Sequence, residues 1–287
     1  MDDMNDNTNL TLVIGGTGKT GRRVAERLRA LGRPVRIGSR RAQPPFDWND
    51  RSSWTDALRD VKSAYITYYP DLAFPGAVDD VGEFAAAAVA SGVQRLVLLS
   101  GRGEESAQAA EDEVRRAAPE WTIVRASWFD QNFSEHFLLQ PVLEGEIVLP
   151  AGDVAEPFVD IEDIADVAVA ALTQDGHNGQ VYEVTGPRLL TFGDVAAELT
   201  KATGRDVRYV PVTPQEYAAA AESYGVPAEE VAELTELFAG VLDGHNSYVA
   251  DGVQRALGRP PRDFSDYARA TAATGAWIVP VPVRADR

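Results

Sequence analysis

Residues 10–21 read LTLVIGGTGKTG. The run at residues 11–14 is hydrophobic without polar alternation, which is typical of a strand covered on both faces. Three glycines follow it at the spacing G-x-x-G-x-x-G: Gly15, Gly18 and Gly21. Apolar residues then recur at helical intervals, as on a helix that faces a sheet: Val24, Leu28 and Leu31. The stretch therefore predicts a strand, a tight glycine turn and a helix in direct succession.

Glycines at these positions let the backbone turn tightly and approach a pyrophosphate, whose charge then lies against the free N–H groups of the helix N-terminus. A second strand predicted at residues 34–38 completes a βαβ unit. We therefore predict that the turn binds a dinucleotide, against the simpler interpretation that it only reverses the chain. The candidate residues are Gly15, Thr17, Gly18, Lys19, Thr20 and Gly21.

The triplet Gly18-Lys19-Thr20 also matches the end of the phosphate-binding loop of NTPases. That motif requires a glycine five residues before Gly18, where this chain has Val13 inside the predicted strand. The pattern therefore favours a dinucleotide over a nucleoside triphosphate.

The composition of the 287 residues limits the possible function classes. Hydrophobic residues make up 45%, and the length suits one large α/β domain with a smaller appended part. Because the net charge is −17, we expect neither a nucleic-acid nor a membrane partner. The chain has no cysteine, and the spacing of its three histidines does not suit metal ligands, so we expect no metal site.

The start of the chain bears on its location. Residues 1–9 are acidic and polar, lack the features of a secretory leader and read as a disordered lead-in. The longest run of small apolar residues, 84–90, is too short to cross a bilayer. We therefore expect a cytoplasmic protein.

The rest of the chain alternates strand-like and helix-like segments, which predicts an α/β fold with a doubly wound, Rossmann-like parallel sheet. We place its core at residues 10–131, with residues 157–184 packing back on it. Longer connections then interrupt the alternation, so we assign residues 132–156 and 185–277 to a smaller α+β part that covers the substrate. Residues 278–287 read as an extended tail.

Several segments match a known family in order and spacing: GGTGKTG at 15–21, Phe46-Asp47-Trp48, LVLLSGRGE at 96–104, WTIVRASWFDQNF at 121–133 and PFVDIEDIADVAVAAL at 157–172. On these segments the chain resembles the NmrA-like family, atypical members of the short-chain dehydrogenase/reductase superfamily, over about residues 10–275. The resemblance implies binding of NAD(P). Members include NAD(P)H-dependent quinone and azo reductases, natural-product tailoring enzymes, and regulators that bind the dinucleotide without turning it over.

Ordinary short-chain dehydrogenases use a Tyr-x-x-x-Lys pair, in which the lysine lowers the pKa of the tyrosine so that the phenol can exchange a proton. No tyrosine of this sequence is followed by lysine four residues later. Alcohol oxidation by that mechanism is therefore not expected, and the resemblance implies the same, because NmrA-like proteins generally lack the pair.

Cofactor choice depends on residues 38–41, which read Gly-Ser-Arg-Arg where an NAD enzyme would carry an acid for the ribose hydroxyls. Without that acid, Arg40 or Arg41 is available to pair with a 2′-phosphate, and two ordinary surface arginines are the alternative. We therefore predict NADP(H), with NAD(H) as the second choice. The resemblance implies that Asp47 and Trp48 flank the adenine, although a tryptophan that only packs there is equally compatible.

Residues that follow strand ends should face one crevice, because ligands of open parallel sheets bind beyond the carboxyl ends of the strands. Tyr68 is a candidate for the cofactor and Tyr69 for catalysis. Ser100 lies where the resemblance places an active-site serine, and its hydroxyl would polarise a substrate carbonyl. Without a basic partner, the same serine also suits a strand-end cap.

An aromatic segment follows the strand that ends near Arg125. Its candidate substrate contacts are Trp128, Phe129 and Phe133, and its candidate catalytic residues are Asn132 and His136. On a helix, the spacing of four would put Trp128, Asn132 and His136 on one face, as a wall for a flat aromatic molecule. Aromatic residues that pack between the two parts of the chain are the alternative.

The sequence thus predicts an oxidoreductase that passes hydride from NADPH to a planar aromatic or quinone-like small molecule, with a proton from solvent, His136, Tyr68 or Tyr69. One alternative is a tailoring monooxygenase of an aromatic natural-product pathway such as antibiotic biosynthesis. Another is a regulator that senses NAD(P) without catalysis. A homodimer is compatible with the sequence.

Overall fold

The computed structural model describes residues 9–223 and 227–279. The predicted lead-in lies outside the described residues except for Asn9, and so does the predicted tail except for Ile278 and Val279.

The strands are β1 (Leu10–Ile14), β2 (Val35–Gly38), β3 (Val61–Ile66), β4 (Arg95–Gly101), β5 (Glu120–Ala126), β6 (Glu146–Leu149), β7 (Ala155–Glu156), β8 (Gln180–Val184), β9 (Leu190–Thr191) and β10 (Arg208–Pro211). The helices are α1 (Lys19–Ala30), α2 (Trp54–Leu58), α3 (Ala77–Ala90), α4 (Glu105–Ala117), α5 (Asn132–Glu135), α6 (Leu139–Glu144), α7 (Ile161–Thr173), α8 (Phe192–Thr203), α9 (Pro214–Ser223), α10 (Ala228–Val241), α11 (Gly252–Leu257) and α12 (Phe264–Ala273). A short 3-10 helix at Arg51–Ser53 precedes α2.

The described residues form two compact units. The first unit consists of residues 9–127, Ile161–Thr185 and Val249–Pro261. The second unit consists of Trp128–Asp160, Gly186–Tyr248 and residues 262–279.

Six strands of the first unit form one sheet in the order β2-β1-β3-β4-β5-β8. Every neighbouring pair in it is parallel. The order reverses at β1, because β2 adds to one side of that strand and β3 to the other. Such a switch point leaves a crevice at the carboxyl ends of the strands, where ligands of this class of fold bind.

Helices cover both faces of this sheet. Successive strand residues point to opposite faces, and Leu12 and Leu98 pack on one face with residues of α3 and α4. Val13 and Val97 are buried as well but lie outside that cluster, on the face where α1 and α7 pack against each other. A sheet covered on both faces has strands that are apolar throughout, as β1 is. The prediction of a doubly wound, Rossmann-like parallel sheet is confirmed.

Residues 128–131 and 157–160, predicted with the core, lie in the second unit, and a longer segment differs in the opposite sense. Val249–Pro261 belongs to the first unit, although the sequence pattern assigned it to the smaller part. Its helix α11 packs on β8 so closely that a Cβ atom at Gly252 would lie 2.1 Å from the carbonyl oxygen of Glu183. Arg255 also donates from Nη2 to the side chain of Gln180 at 2.9 Å. These contacts join residues about 70 positions apart in the sequence, which local periodicity does not reveal.

The second unit contains two small sheets, in which β6 pairs with β10 in parallel and β7 pairs with β9 antiparallel. Helix α8 begins with a capping box between Thr191 and Asp194 and ends at Gly204, whose φ of 69° is left-handed. The core of this unit is largely aromatic. Its fully or nearly buried rings are Phe133, Phe158, Phe192, Phe238, Phe264, Tyr267 and Trp277.

Candidate functional site

The glycine turn lies at the carboxyl end of β1, beside the switch point of the sheet. Gly15 has a left-handed φ of 67°, and its N–H donates to the carbonyl of Gly38 at 2.9 Å. A Cβ atom at Gly15 would lie 2.3 Å from Oγ1 of Thr67, and one at Gly21 would lie 2.3 Å from the carbonyl oxygen of Gly15. Glycine is therefore required at both positions, because β3 and α1 approach the turn too closely for a side chain.

Helix α1 begins at Lys19 directly after the turn. Its N-cap residue is Gly18, which has no side chain to cap the helix, and its first turn carries no acidic residue. Thr17 and Gly18 are exposed at this end, whereas Thr20 and Gly21 are buried. The geometry suits an anion, because the first N–H groups of a helix carry partial positive charge and need an acceptor.

Arg40 and Arg41 are both exposed in the turn that follows β2. The turn is closed by hydrogen bonds from the N–H groups of Ala42 and Phe46 to the carbonyl of Ser39, at 3.1 and 3.0 Å. Both guanidinium groups are therefore accessible to a phosphate in solution. Pairing with a 2′-phosphate stays a prediction for either residue.

Trp48 is buried in an aromatic cluster of the first unit. Its ring lies 5.1 Å from Phe46 and 5.0 Å from Tyr68 between ring centres, and its indole N–H donates to the carbonyl of Thr67 at 3.2 Å. Half-buried Asp47 accepts a hydrogen bond from the N–H of Asn49 at 3.1 Å. These contacts match the packing role that the sequence left open for Trp48, and adenine contacts of Asp47 and Trp48 stay predictions.

The two tyrosines after β3 have different surroundings. The Tyr68 hydroxyl donates to Oδ2 of Asp80 at 2.9 Å. Burial and this contact with Asp80 raise the pKa of Tyr68 to about 12. Tyr69, in contrast, is 75% exposed. Tyr68 is thus held as a hydrogen-bond donor to the protein, while Tyr69 is accessible to a ligand.

Ser100 lies near the end of β4, and its hydroxyl donates to Oε1 of Glu111 at 2.7 Å. Glu111 is completely buried and also accepts from Arg125, at 2.9 Å from Nε and 2.6 Å from Nη2, and from Arg115 at 3.1 Å. The hydrogen bond to Glu111 raises the pKa of Arg125, with burial opposing it. The Ser100 proton is therefore already engaged, and polarising a substrate carbonyl would require breaking a buried hydrogen bond.

The aromatic segment after β5 belongs to the second unit and is not one helix. Residues 128–130 run beside 157–159, with the Val159 N–H donating to Trp128 at 2.8 Å and the Asp130 N–H donating to Val159 at 2.9 Å. The short helix α5 starts only at Asn132, and His136 after it is extended, with a φ of −148°. The predicted helical face shared by Trp128, Asn132 and His136 is therefore wrong, because the backbone before Asn132 pairs like a strand.

Phe133 is fully buried against the rings of Phe158, Phe192 and Phe264. Its predicted contact with substrate is wrong, because the ring forms the core of the second unit and has no exposed surface. Half-buried Trp128 instead stacks on Phe238 at 6.0 Å between ring centres.

The other residues of the segment are more accessible. Phe129 and Asn132 are half-buried, and His136 is exposed beside Phe137 at 5.3 Å between ring centres. Substrate and catalytic roles for Trp128, Phe129, Asn132 and His136 stay predictions.

Two carboxyl groups of the first unit were not predicted from the sequence as site residues. Glu104 follows the turn after β4, and Asp71 lies in the loop after β3. Burial, and to a lesser degree the neighbouring charge of Asp71, raise the pKa of Glu104 to about 8. The sequence offered one signal for Glu104, which is an acid four residues after Ser100. Its neighbour Asp71 lies 33 residues earlier, so no local pattern connects the two.

A cleft of about 700 Å³ opens elsewhere on the first unit. Its lining includes Arg115, Arg125, Glu183, Asp251 and Arg255. Arg125 is already paired with Glu111 and Glu183, so we assign this cleft no ligand. Among the described residues, no group of acidic, histidine or cysteine side chains is arranged to hold a metal ion. In the same part of the chain, no helix combines the length and apolar character needed to cross a bilayer.

A family model and two relatives of similar length match this chain. A model described as the NmrA-like family matches residues 45–268. An uncharacterised oxidoreductase of Bacillus subtilis (strain 168) is 33% identical, covering 94% of this chain and 98% of the relative. An NAD(P)H azoreductase of Xenophilus azovorans is 31% identical, covering 92% of this chain and 98% of the relative.

Solved structures share the fold at lower identity. The triphenylmethane reductase of Citrobacter sp., complexed with NADP(H), superposes with a TM-score of 0.71 at 20% identity, over 92% of this chain and 99% of that one. An NADPH-dependent quinone oxidoreductase of Escherichia coli, complexed with NADPH, gives 0.73 at 23% identity, over 91% and 99%. NmrA, a negative transcriptional regulator in complex with NAD, gives 0.70 at 18% identity, over 94% and 97%.

Proposed function

The chain belongs to the NmrA-like family, and from this membership we propose that it is an NADPH-dependent oxidoreductase that reduces a planar aromatic or quinone-like small molecule. The observation that carries the proposal is the glycine turn between β1 and α1, which is too closely packed for a side chain at Gly15 and has Gly18 as the N-cap of the helix. The azoreductase of Xenophilus azovorans, 31% identical over nearly its whole length, supports an aromatic substrate and a reduced dinucleotide.

The residues of the first unit fit a dinucleotide. The pyrophosphate has backbone N–H donors at the start of α1 and no side chain in the way at Gly15 or Gly18. The missing acid after β2 and the exposed Arg40 favour a 2′-phosphate on the adenosine ribose. When bound, the dinucleotide supplies the hydride. Positioning by this chain then supplies most of the catalysis, since a fixed geometry replaces a bimolecular encounter.

Substrate contacts are proposed for side chains that are accessible. Half-buried Trp128 and Asn132 both lie in the second unit. An aromatic ring and an amide are groups that suit a flat molecule carrying a carbonyl or an azo group.

The test mixes the protein, NADPH and a panel of quinones and azo dyes, and measures NADPH oxidation. Trp128→Ala and Asn132→Ala should lower the rate about tenfold or more while leaving NADPH binding unchanged, because they remove substrate contacts only. Trp121→Ala is the control, since it removes a half-buried tryptophan at the amino end of β5, away from the carboxyl edge.

Two outcomes would contradict the proposed function, and a third would contradict the substrate contact of Trp128. Oxygen uptake with incorporation into product would assign the protein to tailoring monooxygenases. Repeated absence of turnover across the panel, with NADPH shown to bind, would favour a dinucleotide-sensing regulator. Equal losses in Trp128→Ala and Trp121→Ala would show that the effect is structural.

A further inference from the structure

Two carboxyl groups lie beyond neighbouring strand ends of the first unit. Glu104 immediately precedes α4, four residues after Ser100, and Asp71 lies in the loop between β3 and α3. Strands β3 and β4 are adjacent and in register, with Ile66 opposite Leu98. Both loops therefore leave the sheet at the edge where open parallel sheets bind their ligands.

The Glu104 side chain folds back over the end of β4. A Cβ atom at Gly101 would lie 2.3 Å from Oε1 of Glu104, so glycine at that position makes room for the carboxyl group. The second oxygen, Oε2, is buried and accepts no hydrogen bond from any donor in residues 9–223 and 227–279. A carboxylate in such a position would lack the donors that normally stabilise its charge.

The neighbour of Glu104 is another carboxyl group. Asp71 lies close enough for its negative charge to act on Glu104. Two neighbouring carboxylates repel each other and neither can donate a hydrogen bond, so a proton on one of them relieves the repulsion. Burial and the charge of Asp71 raise the pKa of Glu104 to about 8. The proton therefore remains on Glu104 at neutral pH.

Other charged groups near this turn have partners elsewhere. Arg102 lies 3.7 Å from Glu183, and Glu111 on α4 is held by Arg115 and Arg125. Within the described part of the chain, no cation forms an ion pair with Glu104.

We propose that Glu104 is the proton donor of this reductase and that Asp71 is the positioning residue that keeps it protonated. The role rests on the proposed function. A quinone that accepts one hydride gains two electrons and becomes a hydroquinone monoanion, as NADPH is oxidised to NADP⁺. The O–H bond of Glu104 then breaks, and the proton forms a new O–H bond on the anionic oxygen. The resulting carboxylate recovers its proton from water.

The first test detects the proton on the Glu104 carboxyl group directly, without cofactor or substrate. Infrared difference spectra over a pH series should show the carbonyl stretch of a protonated carboxylic acid at neutral pH, lost with a midpoint near pH 8, the pKa of Glu104. Glu104→Gln should abolish that signal, and Asp71→Asn should move its midpoint to lower pH. Glu105→Gln, which changes the exposed neighbouring acid, should leave it in place. A spectrum unchanged by Glu104→Gln would overturn the proposal.

The second test is the pH profile of kcat with a quinone that the wild type reduces. The wild-type kcat should fall above about pH 8 as Glu104 loses its proton. Glu104→Gln should lower kcat about 100-fold and remove this fall, as expected when a general acid is lost. Asp71→Asn, which leaves Glu104 in place, should move the fall to lower pH, and Glu105→Gln should behave like wild type.

The outcomes separate the two proposals. Turnover that Glu104→Gln leaves unchanged would overturn the donor role alone. Absence of turnover in the wild-type protein, with NADPH bound, would overturn the proposed function and the donor role with it. A uniform loss of rate in Asp71→Asn without a shift of its profile would show that Asp71 has only a structural role.

Discussion

Arg40 is the side chain on which we expect cofactor choice to depend. It is exposed after β2, where the acid that would hold ribose hydroxyls is missing. A charge-assisted pair with the 2′-phosphate contributes about 1.5–3 kcal/mol, so Arg40→Ala should weaken NADPH binding about 10- to 100-fold. The affinity for NADH should stay the same, because NADH has no 2′-phosphate.

Titration of both cofactors by fluorescence checks this prediction. Arg29→Ala is the control, because Arg29 is exposed near the end of α1, away from the turn. Arg41→Ala distinguishes the two adjacent arginines. Equal affinities of the wild-type protein for NADPH and NADH would rule out a role for either.

The Ser100 hydroxyl, at a position predicted to be catalytic, forms a buried hydrogen bond. Its proton is donated to Glu111, which is completely buried between Arg115 and Arg125. Ser100→Ala should therefore cost about 1 kcal/mol of unfolding free energy, the usual value of one hydrogen bond. Glu111→Ala should cost about 3 kcal/mol or more, because it leaves Arg125 without its main partner.

Urea unfolding of both variants measures these costs, and steady-state kinetics gives the second readout. We expect Ser100→Ala to keep a kcat close to that of the wild type. A tenfold or larger loss of kcat in a stable Ser100→Ala protein would instead support the role in polarising a substrate carbonyl.

The glycine turn between β1 and α1 allows a prediction with a matched control. Gly15 and Gly32 have nearly the same left-handed φ, 67° and 69°. A Cβ atom at Gly15 would collide with Thr67, whereas within the described residues none of the surrounding atoms lies within 4 Å of one at Gly32. Gly32→Ala should therefore cost only the backbone strain, about 1 kcal/mol.

Gly15→Ala should cost about 1–3 kcal/mol beyond that, because β3 must shift to relieve the collision. It should also weaken NADPH binding, while Gly32→Ala should not, since the turn before α1 is displaced only in the first variant. Thermal unfolding and cofactor titration of the pair provide the measurements. Equal losses of stability would mean that the contact with Thr67 relaxes without cost.

The elements that the sequence predicted well are those whose signal is local. Residues 11–14 were predicted as a strand covered on both faces and form most of β1, because such a strand is apolar along its whole length. The segment at 128–136 was predicted poorly. Its backbone pairs with residues 157–159, about 30 positions away, and no periodicity within nine residues indicates that partner.

The residues of the candidate site were likewise predictable only where the sequence signal is local. The glycines of the turn carry their constraint in their own spacing, so their role was predictable. Glu104 and Asp71 come together only because β3 and β4 are neighbours in the sheet. Likewise, the rings that bury Phe133 come from distant parts of the sequence, so its burial was not predictable from the residues beside it.

The pH dependence of stability is a property of the whole molecule to which Glu104 should make a recognisable contribution. The pKa of Glu104 rises from its ordinary 4.5 to about 8 on folding. Between these values the folded protein keeps a proton that the unfolded chain has released. Unfolding free energy must then decrease as pH rises through this window, by at most about 1.4 kcal/mol per pH unit for one proton.

Asp263 changes the unfolding free energy with pH in the opposite direction to Glu104. Its pKa is lowered, chiefly by its hydrogen bond with Arg188. Its stabilising effect is present above the ordinary carboxyl pKa of 3.8 and is lost as pH falls below that value. The two groups therefore act in separate pH windows. Glu104 contributes to the slope above pH 4.5, and Asp263 acts only in acid.

Glu104→Gln isolates the first contribution, because glutamine stays neutral at every pH. Its unfolding free energy should decrease less than that of the wild type between pH 5 and pH 8, within the window set by the pKa values of 4.5 and about 8. The two proteins should therefore differ most above pH 8, with the variant the more stable. Denaturant titrations at a series of pH values measure this difference, and Glu105→Gln should follow the wild-type curve. Parallel curves for Glu104→Gln and wild type would mean that Glu104 titrates alike in the folded and unfolded chains, and the buried proton would then have to be assigned to another group.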